Sequence, residues 1–417
     1  MKSSIGAGAV QFIPTVVSEQ SVGHTTIALK ALKESRYKGC MRDPRLEKLA
    51  DVLVNYSVGV KKGQSVRITG ATVAQPLIIE LYQKVLAAGG HPLVRVTPDE
   101  LAEIFYKTAS DEQLGYFSPI ALYEIEQVDC SIGIWANENT KALTGCDPKK
   151  IGIAQAARKP YMETFLNRAA EKKLHWSGTQ FPTHAAAQDA EMSLAEYEDF
   201  VFNAGLLNRP DPVAAWKALS ERQQRLTDFL NGKTDYHVVA ANGTDVRLSV
   251  AGRRWINCDG HENFPDGEVF TGPVLDSVNG TIQFSFPAVH HGREVQGARL
   301  VFKNGKVIEA SATKGEDFLI SMLDTDAGSR FLGECAIGTN YQIKNYTRNT
   351  LFDEKIGGTV HFAVGAGYPE TGNTNQSGLH WDMVVDLRKG GFVEIDGVKI
   401  NVDGKFTMDG FPIEDLA

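Results

Sequence analysis

From residue 44 the apolar positions run at helical spacing: Leu46, Leu49, Ala50, Leu53 and Tyr56 recur every three or four residues. Asp43 is placed to cap this helix and Pro44 to take its first position, where the N–H it lacks would have no partner. Gly59 ends it. GQSVRITG then alternates, with Val66 and Ile68 on one face, which predicts a short strand. A second helix is expected at about residues 74–88, closed by Gly89-Gly90, and HPLVRV is the next strand. Strand, helix and strand in this rhythm make a βαβ unit, and so a parallel sheet. Thr97 to Glu100 reads as a capping box for a further helix, and CSIGIWA, from Cys130, as another buried strand. Ser193 to Glu196 is a second capping box, opening the helix of AEYEDFVFNAG. NRPDP at 208–212 is a turn, with a helix after it to about Asn231.

From Val238 the texture changes. NGTDVRLSV alternates, with Val246, Leu248 and Val250 on one side. Asn-Gly pairs at 242–243, 279–280 and 304–305, and Asp-Gly pairs at 396–397, 403–404 and 409–410, are hairpin signals, because a tight I′ turn needs two positive φ angles. A chain of 417 residues favours more than one core. The expected architecture is an N-terminal α/β domain with a parallel sheet, residues 42–235, then an antiparallel β-rich catalytic domain, residues 236–417. Residues 1–41 read as an N-terminal arm, either packed on a partner subunit or poorly ordered.

Composition narrows the function classes. Hydrophobic residues make up 42% and charged residues 23%, ordinary for a globular protein, and the net charge of −8 leaves no basic footprint for nucleic acid. No apolar run approaches the length of a membrane span, and the first residues lack the firm apolar core of a secretory signal, so the cytoplasm is the expected location. Cys40, Cys130, Cys146, Cys258 and Cys335 are far apart without a CxxC, which points to a reducing compartment and to neither a disulfide framework nor a thiolate zinc site. No GxGxxG or GxxxxGK follows a predicted strand, so a nucleotide site is unsupported.

The candidate chemistry gathers in residues 351–388. Asp353, Glu354, His361, Tyr368, His380 and Asp382 lie there among glycines and other small residues. With HWD as the start of a strand continued by MVVDL, His380 and Asp382 share a face and are placed where one ion could be held between them. Imidazole plus carboxylate suits Zn, Co, Mn or Fe. Upstream, Glu268 in NFPDGEVFTGPV and Glu334 in FLGECAIGTN have surroundings poor for a solvated carboxylate, and a buried carboxylate needs a partner. Ordinary roles compete. A lone strand histidine is most often simply hydrogen-bonded, and Tyr368-Pro369 on its own is most simply a turn with a packed ring. Asp266 reads as a turn residue and Cys335 as a small core residue. His290-His291, His184 and His261-Glu262 are weaker candidates.

In combination, NFPDGEVFTGPV, GE before a small apolar run, LFDE, HxAxGxxYPE and HWD resemble the thermophilic-aminopeptidase family of dinuclear metallopeptidases. The resemblance takes in RLEKLADVLVNYSVGVKKGQSV and FPTHAAAQDAEMSLAEYEDF and so spans roughly residues 42–390. It implies that Glu268, Glu334, His361, His380 and Asp382 are the metal ligands and that Tyr368 is catalytic, hydrogen-bonding the oxyanion. Glu354 is then a sixth ligand or a residue that orients a histidine. Five N/O ligands exceed the needs of one catalytic zinc and suit two divalent ions (Zn, Co, Mn or Mg) about 3.5–4 Å apart, bridged by a water that becomes the nucleophile. The implied activity is removal of the amino-terminal residue from a peptide substrate, and the implied assembly a homodimer. The competing expectation is a mononuclear non-haem iron ring-cleaving dioxygenase of the dihydroxypyridine dioxygenase type, with His361, His380 and Asp382 as its facial triad. Glu268 and Glu334 discriminate, since a lone iron does not need them.

Overall fold

The computed structural model describes residues 43–290 and 292–413; the expected N-terminal arm and His291 lie outside the described residues. Strands Ser65–Ala71, His91–Thr97, Cys130–Trp135 and His175–Gln180 pair in parallel, as the βαβ rhythm predicts. Ser65–Ala71 lies between His91–Thr97 and Cys130–Trp135, and the sheet ends on a short strand from the second half of the chain, Asn263–Phe264. Helix Pro44–Val52 continues into a π-helical turn, Leu53–Ser57, and the next long helix is Gln75–Ala87. The capping box at Ser193 and Glu196 forms. The one expected at Thr97 and Glu100 does not. Asp99 is the N-cap of helix Glu100–Thr108, and its carboxylate accepts from the Glu138 N–H at 2.9 Å rather than from its own helix. Thr97 is the last residue of the strand His91–Thr97, paired with Ala71, and so does not cap the helix.

The second half is antiparallel: one eight-stranded sheet, one five-stranded sheet and a separate pair of short strands. The glycine pairs at 242–243, 304–305, 396–397 and 403–404 join consecutive strands as expected. Asn279-Gly280 does not. It opens the strand Asn279–Gln283, where Gly280 presses against the backbone of the neighbouring strand at Asp245. Asp409-Gly410 forms a turn with no strand after it among the described residues.

Two large apolar cores follow. One fills the β-rich half, with Tyr236, Val246, Leu300 and Phe362 among its members; the other lies under the parallel sheet, with Leu49, Ile68, Leu81, Ile132 and Trp216. The second core also takes Phe264, Ile343, Leu351, Phe352 and Ile356 from the second half of the chain. Phe352 is fully buried and meets Phe200 edge-on at 5.1 Å between ring centres. Burying a side chain of this size stabilises by about 1.5–3 kcal/mol, and it fixes the backbone that carries Glu354 and Lys355. Asn340 ties the same region down, its amide donating to the carbonyls of Ala204 (3.0 Å) and Asp266 (2.8 Å). Among the described residues no helix is long and apolar enough to cross a membrane.

Candidate metal centre

The five-stranded sheet runs in the order His380–Asp386, Thr359–Gly365, Leu332–Gly338, Glu268–Thr271, Ile256–Cys258. Its register sets Asp382 opposite Ala363, which is opposite Glu334; His361 is opposite Ala336, His380 opposite Gly365 and Glu268 opposite Gly338. Strand side chains alternate, so all of these positions share one face. Glu268, Glu334, His361, His380 and Asp382 therefore project together, spaced by Ala336, Gly338, Ala363 and Gly365; the two glycines admit neighbouring backbone, since a Cβ would lie 2.2 Å from the Ile356 carbonyl oxygen at Gly338 and 2.1 Å from that of Leu379 at Gly365. The alternate positions, among them Cys335, Ile337, Phe362, Val364 and Met383, point into the β core.

Two glycines aim the carboxylates. Gly267, with φ +125°, lies so close to Asn340 that a Cβ would sit 2.6 Å from the asparagine Cβ, and it delivers the chain to Glu268. Gly333 occupies an irregularity in register between Leu332 and Glu334, where a Cβ would lie 2.0 Å from the Ala366 carbonyl oxygen. Gln223, from helix Pro212–Leu230, donates its amide to the Glu268 carbonyl at 3.2 Å.

Both imidazoles are oriented from behind. His361 Nδ1 donates to the Glu354 carbonyl (2.9 Å) and His380 Nδ1 to the Ala366 carbonyl (2.8 Å), so each Nε2 faces the carboxylates. His361 Nε2 lies 3.2 Å from Glu334 and 3.4 Å from Glu268; His380 Nε2 lies 3.5 Å from both Glu334 and Asp382. The ligand atoms of Glu268, Glu334 and His361 fall within 4.8 Å of one another, as do those of Glu334, His380 and Asp382, and those of Glu354, His361 and Asp382. Glu268 Oε2 and Asp382 Oδ1 are buried without a hydrogen bond. Buried carboxylate oxygens that no donor satisfies, ringed by two aimed imidazoles, fit divalent cations.

The electrostatics follow from crowding. Burial pushes Glu268 and Glu334 above the usual carboxylate range. Burial opposes charge on Asp382 too, but His380 and then His361 outweigh it and hold that carboxyl well below its ordinary value. Burial would likewise lower the histidines, yet their carboxylate partners raise both to about 10. Tyr368 packs its ring edge-on against His380 (5.2 Å) and Phe270 (5.3 Å) and is 39% exposed, open to a substrate. Burial, then the charges of Glu334 and Asp382, push its hydroxyl well above the usual range, so the phenol remains a proton donor.

Lys355 carries no signal in the sequence beyond following Glu354, yet it is fully enclosed. Its ammonium contacts Glu354 and lies 3.6 Å from Glu268 and 3.9 Å from Asp266. Burial opposes its charge, but Glu268, Glu354 and Asp266 outweigh that and keep it protonated. Asp266 is not an open turn residue. It is buried, accepts the N–H groups of Gly260 and Gly267, and is raised by burial to about 7. Cys335 is a core residue whose thiol burial pushes well up. The weaker histidine candidates belong to none of the ligand groups among the described residues. His261 pairs with Asp259 at 2.6 Å, His290 packs on Trp381, and His184 opens the helix His184–Asp189.

Known proteins resemble this chain over most of its length. Aminopeptidase 2 of Geobacillus stearothermophilus is 29% identical over 88% of this chain and 95% of its own length. Aminopeptidase T of Thermus thermophilus is 30% identical over 80% of this chain and 87% of its own. The solved structure of wild-type AmpT from Thermus thermophilus has a TM-score of 0.78 at 26% identity, covering 88% of this chain and 99% of that one. The 2,5-dihydroxypyridine dioxygenase of Pseudomonas putida has a TM-score of 0.56 at 12% identity, covering 88% of this chain and 98% of that one, which is a likeness of fold alone. The thermophilic metalloprotease (M29) family matches residues 42–406, and the chain belongs to that family.

Proposed function

We propose that the protein is an aminopeptidase whose centre takes two divalent ions, one held by Glu268, Glu334 and His361 and one by Glu334, His380 and Asp382, with Glu334 shared. The observation that carries this reading is the pair of three-ligand groups meeting at one buried glutamate. When bound, such ions supply an activated water and polarise the scissile carbonyl. The chain's own residues do the rest. The Glu354 and Ala366 carbonyls hold both imidazoles in one tautomer. Tyr368 Oη, kept protonated, donates to the oxygen that gains charge as the tetrahedral state forms. Glu354, grouped with His361 and Asp382, supports the site as a further ligand or as the group that orients His361. A free α-amine, which an ion of the centre can bind, suits the amino-terminal residue of a peptide. A homodimer is the proposed assembly, supported by apolar side chains left exposed on the α/β half, among them Leu101, Ile104, Phe105, Ile120, Tyr123 and Met162.

The test is hydrolysis of a leucyl peptide by chelator-stripped protein before and after addition of Co, Zn or Mn. Activity is expected to return only with metal and to be absent on the same peptide with an acetylated amino terminus. Cleavage of a dihydroxypyridine with ferrous iron, and no peptide hydrolysis with any metal, would replace this reading with the dioxygenase one.

A further inference from the structure

Lys355 makes its ion-pair contacts on one side of the centre, and its charge reaches Asp382 on the other side more weakly. Its ammonium sits with Glu354, Glu268 and Asp266, whereas Glu334, His380 and Asp382 pair with imidazoles and with no lysine or arginine within ion-pair distance among the described residues. The chain around it is fixed, because Phe352 and Ile356 are locked into the core beneath the parallel sheet. A side chain with no exposure does not meet a peptide, so its role is not substrate contact. Its effect is on charge. A lysine nitrogen ion-paired 3.6 Å from a proposed ligand carboxylate competes with a cation for that carboxylate, and enclosure keeps solvent and salt from screening it.

We propose that Lys355 is a built-in counter-ion that makes the two halves of the centre unequal. Glu334, His380 and Asp382 bind one ion tightly. Glu268, Glu334 and His361 bind a second, exchangeable ion against the repulsion of the Lys355 ammonium. The inference rests on the dinuclear reading. Its consequence is that occupancy of the second position follows the free metal concentration, so the lysine sets how much metal the enzyme needs.

The experiment is calorimetric titration of chelator-stripped full-length protein with cobalt chloride, for the wild type and for Lys355→Met. The wild type is expected to bind two ions in two resolved steps about a hundredfold or more apart. Lys355→Met is expected to tighten the weaker step by about tenfold or more and to tighten the other step by clearly less. An unchanged or weakened second step in the variant overturns the role of Lys355, as do two equal sites in the wild type. One ion in the wild type and two in the variant supports it. One ion in both proteins overturns the dinuclear reading and this inference with it. Circular dichroism establishes that the variant folds; if Lys355→Met does not, Lys355→Gln takes its place.

Discussion

The two faces of the five-stranded sheet are built from the same strands and do opposite work. One face, with Phe362, Val364, Met383 and Ile337, is packed into the β core without exposure to speak of. The other carries Glu268, Glu334, His361, His380 and Asp382 between glycines and alanines. The difference shows how a cluster of like charges is tolerated. The apolar face supplies the burial energy that fixes the backbone, and the fixed backbone holds the carboxylates together despite their repulsion. Gly338 and Gly365 on the polar face let the backbone at Ile356 and Leu379 approach closely beside the cluster.

That comparison can be broken on either face. Glu334→Ala removes the residue common to both ligand groups, so hydrolysis is expected to vanish and elemental analysis to find less than one ion per chain. Retained activity would mean that Glu334 is not shared. Phe362→Ala acts on the other face. It should cost about 3–5 kcal/mol in urea unfolding, while protein that remains folded still binds metal and turns over. Loss of metal without loss of stability would show that the two faces are not separable in this way. Tyr368→Phe deletes a donor without touching a ligand. Turnover is expected to fall by about 10²–10³, with metal content unchanged; a fall in metal content would make Tyr368 structural.

The smallest expected effect lies at the edge of the loop between Tyr368 and His380. Asp326 accepts the Gly378 N–H at 2.6 Å and hydrogen bonds from Ser377, Ser329 and Gly328, and these hold its carboxyl from the usual 3.8 down to about 2. A lowered carboxyl contributes stability that is present above its unfolded value and is lost as pH falls towards its folded one. Asp326→Asn should therefore melt below the wild type near neutral pH, and the gap should close between about pH 4 and pH 2. A gap that is constant with pH would mean that the ionised carboxylate is not the stabilising group.

The clustering of the five proposed ligands was legible because each stands at a strand position, among small residues, in a motif that a solvated surface would not need. Strand alternation then required only the register to bring them together. Lys355 was not legible. A lysine after a glutamate is ordinarily solvated, and its enclosure depends on Phe352 and Ile356 docking into a core made by residues far earlier in the chain. Asp266 escaped for the same reason, since its turn lies beneath Asn340 and beside Lys355. The Thr97 capping box and the Asn279-Gly280 turn failed where strand pairing, of Thr97 with Ala71 or of Gly280 with the strand at Asp245, outweighed a local preference.

The most direct test of the account is to count ions against activity. Stripped protein is given metal stepwise, and at each step leucyl-peptide hydrolysis and bound metal per chain are measured together. The account predicts that full activity arrives with two ions per chain, and that chains carrying one are much slower. Full activity at one ion per chain, with no further gain from a second, would contradict it.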